Sequence, residues 1–297
     1  MPHLRGVAHA VIKEFLMKIN KGWYTLFTFP LMMTFAIVVI VPFAIGIGLS
    51  FVEWDGLAKH SMTFVGFENY VRVFSDQRFL LSAGRTTIFT LISVLSVNIV
   101  GIIFALVVTT KLKTANIART MLFVPYLIGG LILGYIWKSV FSEFFLSIDW
   151  GNWLTDRTKA MAAMIIVTTW QMAGYVMIVY ITGIMAIPDD VLEASSVDGA
   201  NFLQTLFKVK FPLLMPSFTI CLFLTLSNCF KVYDVNIALT GAGPNYQSEM
   251  FSLNIYNEIF DLSNFGYGQA KAIIFFLIIA VITMIQVRIT KSKEVSM

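Results

Sequence analysis

Pro188-Asp189-Asp190-Val191-Leu192-Glu193-Ala194-Ser195-Ser196-Val197-Asp198-Gly199-Ala200-Asn201 joins two long apolar runs, and its punctuation sets how those runs are arranged. Pro188 suits the first position of a helix, where a missing N–H costs nothing. Asp189 and Asp190 in that first turn complement the helix dipole. Gly199 can take the left-handed conformation that ends a helix. Asn201 can then cap a second helix, which Pro212 interrupts. Val191, Leu192, Ser195 and Val197 give the first helix an apolar side, while Glu193 and Asp198 supply charge. The expected element is helix, tight bend, helix, lying at a membrane surface.

The runs on either side make the membrane the solvent. Apolar residues are 58% of the 297-residue chain and charged ones 13%, with a mean hydropathy of +0.79. A soluble domain needs about twice that charge to keep its surface wet. A helix needs about 20 apolar residues to cross the hydrocarbon core. Six runs qualify: 24–51, 86–109, 120–141, 160–187, 213–233 and 269–289. The first is too long for a signal-peptide core and lacks a suitable small-residue cleavage site. An all-α, polytopic membrane protein follows, with residues 1–297 as one transmembrane domain.

Lys and Arg in short loops orient the spans. With the N-terminus inside, the cytoplasmic pieces carry Arg5, Lys13, Lys18, Lys21, Lys111, Lys113, Arg119, Lys208, Lys210, Arg288, Lys291 and Lys293. The outer loops carry Lys59, Arg72, Arg78, Arg85, Arg157 and Lys159, and Lys138, Lys231 and Lys271 stay at span ends. The cytoplasmic side holds the larger share, so both termini and the 188–212 connection are expected in the cytoplasm. The outer connection 53–85 has a helix-like run near 67–74, and 235–268 has no Lys or Arg.

The connection resembles the EAA loop of ABC importer permeases, on Glu193, Ala194, Ser195, Asp198, Gly199, Ala200, Leu206, Val209 and Pro212. Ser195 stands for the usual second Ala, and Leu206 for a common Phe. The resemblance extends from about residue 86 to 290. Phe230-Lys231-Val232-Tyr233-Asp234 followed by Leu239-Thr240-Gly241-Ala242-Gly243-Pro244 is similar to a stretch of the maltose and multiple-sugar type permeases, although Ala242 departs from a double Gly. Val124-Pro125-Tyr126 and Trp137-Lys138 also fit. The resemblance implies a type I importer permease in a prokaryotic inner membrane, with 188–212 as a coupling helix docked on an ATPase. It implies a second homologous permease, two ATP-binding-cassette subunits, an extracytoplasmic solute-binding protein and a sugar cargo. An ordinary amphipathic interfacial loop is the plain alternative for 188–212.

Several chemistries are missing from the sequence. It contains no Gly-x-x-x-x-Gly-Lys-Ser/Thr phosphate loop, so no cofactor is expected on this chain, and ATP and Mg belong to a partner ATPase. No nucleophile elbow or His-Glu-x-x-His occurs, and a transport subunit, not an enzyme, is expected. His3, His9 and His60 have no carboxylate or cysteine at ligand spacing, so no metal site is assigned. Cys221 and Cys229 would lie roughly 12 Å apart along a helix, too far for a disulfide. The net charge of +4 sits at loop ends, which argues against nucleic acid.

Polar residues within spans mark a pathway or bind neighbouring helices. Trp170, Gln171, Tyr175 and Asn228 are the pathway candidates. Trp170 lies near mid-span, and Gln171 and Tyr175 share a helix face. An aromatic plate beside an amide suits a sugar, and helix–helix bonding is the alternative for each. For Asn98 helix–helix bonding is favoured. Lys231 and Asp234 either contact substrate or neutralise each other, with the second favoured. No Asp or Glu lies in the middle of a run, which counts against an ion-coupled, ATP-independent carrier. A glycerol phosphate or another anionic cargo is the other alternative, with Lys231 the nearest candidate to receive it.

Overall fold

The computed structural model describes residues 21–57, 61–110 and 114–294. Arg5, Lys13, Lys18, Lys59, Lys111 and Lys113, and with them His3, His9 and His60, lie outside the described residues. Helices dominate. α1 runs through Lys21–Phe35, a π-helical turn at Ala36–Ile40, and Val41–Leu49. A two-stranded ribbon, β1 (Val52–Glu53) and β2 (Thr63–Phe64), pairs Val52 with Phe64. Next come α2 (Glu68–Ser75), α3 (Gln77–Val108), α4 (Ala115–Leu127), α5 (Gly130–Ser147) and α6 (Arg157–Met185). α7 (Asp189–Val197) and α8 (Phe202–Leu213) form the surface hairpin. The chain finishes with α9 (Met215–Phe230), α10 (Asp234–Leu239), α11 (Phe251–Tyr256, with a π turn Asn257–Asp261) and α12 (Phe265–Lys291).

Among the described residues four helices are long and apolar enough to cross a bilayer: Thr25–Leu49, α3, α6 and α12. Two bent pairs bring the total to six. α4 and α5 meet at 97°, and α8 and α9 at 70°. The third run, expected to be one continuous span, is therefore broken. Pro125 sits in the last turn of α4, and Gly129 and Gly130 follow, residues that weaken a helix locally. The fifth straight helix is only Met215–Phe230, shorter than the apolar run around it.

α3 and α6 form the centre, joined by α4, α5 and α9. Phe89, Val97, Ala163, Met164, Val176, Met177 and Tyr180 are buried between them. Small residues permit the close approach that membrane helices use. A Cβ on Gly174 of α6 would meet the Leu122 carbonyl oxygen of α4 at 1.9 Å. Gly174→Val should therefore prevent α4 from packing, seen as loss of the monodisperse purified fraction. A normal elution profile would refute this account of the contact. Asn98 behaves as helix–helix bonding: its Nδ2 donates to Thr225 Oγ1 (3.0 Å) and Tyr180 O–H donates to its Oδ1 (2.8 Å), tying α3, α6 and α9. Cys221 and Cys229 are buried free thiols. α1 has none of its apolar window buried, and touches α12 through Phe43 and Phe276, with ring centroids 5.2 Å apart.

Lys271, expected at a span end, is fully buried in α12. Its ammonium sits 2.7 Å from both Asp76 and Glu258 and donates to Asn254 Oδ1 at 3.3 Å. Burial alone would push the Asp76 carboxyl up. The Lys271 ammonium and the donors Phe79 N–H and Tyr267 O–H outweigh it, and hold the group below its usual range. Beside it Glu249, also fully buried, pairs with Arg78. The 235–268 connection, which carries no Lys or Arg, thus supplies the acids that receive cations from α3 and α12. Its loop at Gly241–Tyr246 is held by Arg85, whose Nη1 donates to the Tyr246 and Glu249 carbonyls at 2.6 and 3.0 Å.

Candidate functional site: a polar cavity at a helix break

The break between α4 and α5 opens a cavity of about 250 Å³. Tyr126 and Gly130 line it from the two broken halves, Thr168, Gln171 and Met172 from α6, Asn228 from α9, and Lys231 through Val235 from the junction of α9 and α10. Gln171 serves two roles. Its Nε2 donates to the Ile128 carbonyl at 3.0 Å, satisfying backbone that the break releases, while the residue also faces the cavity. Asn228 bonds its own helix through Nδ2 to the Leu224 carbonyl (2.8 Å), leaving Oδ1 for a ligand.

Tyr175 does not line the cavity. It stacks on Tyr126, which does, with centroids 4.4 Å apart and planes 12° from parallel. The pair makes a firm aromatic wall. Trp170 lies elsewhere: it is 44% exposed and packs edge-on against Trp137 of α5 at 5.5 Å. The i,i+4 geometry joins Gln171 and Tyr175 on one face and turns Trp170 away from it. Lys231 and Asp234, expected to neutralise each other, form no ion pair within 4.0 Å, and both are exposed to the cavity. Lys231 ends α9 and Asp234 opens α10, so an interruption of the helix separates them. Tyr126, Thr168 and Gly130 are not among the pathway candidates of the sequence, where Tyr126 enters only through the Val124-Pro125-Tyr126 resemblance.

The α7–α8 hairpin sits at another part of the chain. Pro188 is the N-cap of α7, one position earlier than expected, with Asp189 and Asp190 in the first turn. Gly199 has φ +74°, the left-handed bend. Asn201 and Gln204 cap α8 reciprocally, each backbone N–H donating to the other's side chain at 2.9 Å. Pro212 does not stop α8. A π turn at Thr205–Lys210 precedes it, and the helix continues to Leu213. Ser195 is buried and lies in a shallow pocket with Ala194, Asp198 and Val209, whereas Glu193 and Ala194 are exposed and Ala200 is half-buried. Val197, Phe202 and Phe207 are 87%, 72% and 64% exposed, a large apolar display on a polar hairpin.

Broken spans around a polar cavity, with a capped helical hairpin outside the bundle, define a membrane transport subunit. The chain belongs to the family of binding-protein-dependent transport system inner membrane components, which matches residues 97–294. A probable starch degradation products transport system permease protein of Thermoanaerobacterium thermosulfurigenes is 44% identical, covering 94% of this chain and 97% of the relative. A multiple sugar-binding transport system permease protein of Streptococcus mutans is 30% identical over 93% and 98%. In solved structures, a chain of a bacterial ABC transporter involved in import of the acidic polysaccharide alginate superposes with a TM-score of 0.77. It is 20% identical and covers 94% and 99% of the two chains. That likeness concerns the fold.

Proposed function

We propose that this chain is the permease subunit of an ATP-binding-cassette importer that carries a carbohydrate into the cytoplasm. The observation that carries the cargo class is the near full-length match to a permease named for starch degradation products. The cavity fits that cargo, because the Tyr126–Tyr175 wall can receive a sugar's C–H face while Asn228, Lys231 and Asp234 take its hydroxyls. A second homologous permease completes the pore. Two ATPase subunits bind ATP and Mg, and a solute-binding protein delivers the cargo at the extracytoplasmic side.

In this reading both termini are cytoplasmic and Glu193, Ala194, Ser195, Asp198, Gly199 and Ala200 form the part of the hairpin that docks on the ATPase. The exposed Val197, Phe202 and Phe207 are the apolar surface such a cleft would cover. ATP drives the cycle by binding the closed ATPase dimer better than the open one, and the hairpin carries that preference to the spans.

Gentle purification from native membrane followed by mass spectrometry tests the assembly. A second permease and an ATPase should copurify, and cargo-loaded binding protein should stimulate ATP hydrolysis. Recovery of the chain alone, in a detergent that keeps a known importer intact, would refute the reading.

A further inference from the structure

The cavity wall converges on one carboxylate. α5 starts at Gly130 on the rim, so its first-turn N–H groups lack intrahelical acceptors and carry the positive end of the helix dipole. Asp234 stands against that end: a Cβ on Gly130 would lie 2.7 Å from the Asp234 Cβ and 3.2 Å from its Oδ2. It is also the acidic first-turn residue of α10. Lys231 shares the cavity, and among the described residues no side chain forms an ion pair with the Asp234 carboxylate within 4.0 Å.

Without Asp234 the same wall would attract anions. A helix N-terminus, an ammonium from Lys231 and an amide from Gln171 together form a site for a phosphate or a uronate. With it, an arriving anion meets a like charge at the position where the dipole would have held it.

We propose that Asp234 sets the charge selectivity of this cavity, occupying the positive end of α5, accepting hydrogen bonds from neutral sugar hydroxyls and turning away anionic sugars. Its two oxygens suit a pair of adjacent hydroxyls, since an ionised carboxylate only accepts. The proposal rests on the carbohydrate reading and deepens it.

The test uses the intact importer complex in lipid nanodiscs and measures equilibrium binding without the solute-binding protein. The probes are maltotriose and its counterpart with one glucose oxidised at C6 to glucuronate. The wild type should prefer maltotriose by about tenfold or more, because a like charge brought against the carboxylate is disfavoured. Asp234→Asn should lower that preference by about tenfold, chiefly by tightening the uronate, and Asp234→Glu should keep it. In the wild type, added salt should strengthen uronate binding and leave maltotriose unchanged, because screening relieves repulsion; this arm needs no mutation. An unchanged preference in Asp234→Asn, or uronate binding that weakens with salt, would overturn the proposal while leaving a sugar permease in place. A wild-type complex that hydrolyses ATP yet binds neither probe would overturn the carbohydrate reading and the proposal together.

Discussion

Glu249→Ala should destabilise the chain by about 2–3 kcal/mol, because it removes the fully buried partner of a half-buried ion pair and leaves two buried amides without an acceptor. The carboxylate is fully buried and takes Arg78 Nε at 2.8 Å in addition to the paired Nη2. It also accepts Asn254 Nδ2 at 3.0 Å and Asn257 Nδ2 at 2.7 Å. The Arg78 guanidinium lies 3.7 Å over the Tyr246 ring, so the acid also fixes the Gly241–Tyr246 loop. Truncation would strand a cation and two amides at the end of the bundle where α3 and α12 begin. Replacing both members, as in Arg78→Met with Glu249→Met, should recover much of the loss, since no buried charge then lacks a partner. Thermal unfolding of the purified chain in one detergent reads both effects. A Glu249→Ala protein as stable as wild type, to within about 1 kcal/mol, would mean that the network is solvated in the membrane.

This network also marks the limit of what the sequence discloses. Arg78 and Glu249 are 171 residues apart, and no periodic pattern records a partner at that distance. From sequence Lys271 is a residue at a span end and 235–268 a connection without Lys or Arg, because hydropathy registers the length of an apolar run and not what closes over it. The broken third span was missed for a related reason. The run from 120 to 141 is long enough to cross by itself, and its length does not register the break that Pro125 and Gly129-Gly130 permit. The cavity was half legible: Gln171 and Asn228 line it, and Tyr175 backs it. Trp170 lies away from this cavity, against Trp137, because depth along a helix does not give the face. The surface hairpin was legible nearly residue by residue, because its signals are local: acids after a proline, a glycine at the bend, an asparagine at the second cap; the reciprocal Gln204 bond and the helix running on through Pro212 are seen only in the structure.

That hairpin carries the other large expected effect. Gly199→Val should cut cargo uptake by about tenfold or more while the chain still inserts and folds, if a fixed bend is needed to transmit ATPase closure. A Cβ at Gly199 would meet nothing within 4 Å, so the substitution creates no clash. Its cost is in the backbone. The φ of +74° disfavours any L-residue by about 1–2 kcal/mol, and a β-branched one most. The exposed hairpin relieves that strain most easily by changing the angle between α7 and α8. Such a change moves Glu193 and Val197 relative to Phe202 and Phe207, so the two halves of the exposed surface would no longer meet one cleft together. Asn tolerates the left-handed region, and Gly199→Asn should retain most uptake. The discriminating measurement is paired, with uptake and binding-protein-stimulated ATP hydrolysis read on the same reconstituted complex. Valine should depress uptake and stimulation together, leaving unstimulated hydrolysis by the ATPase subunits in place. If valine transports normally, the bend is a convenience of the fold and the coupling must run through another contact. If asparagine fails as badly as valine, the side chain and not the backbone angle is what the docking surface rejects.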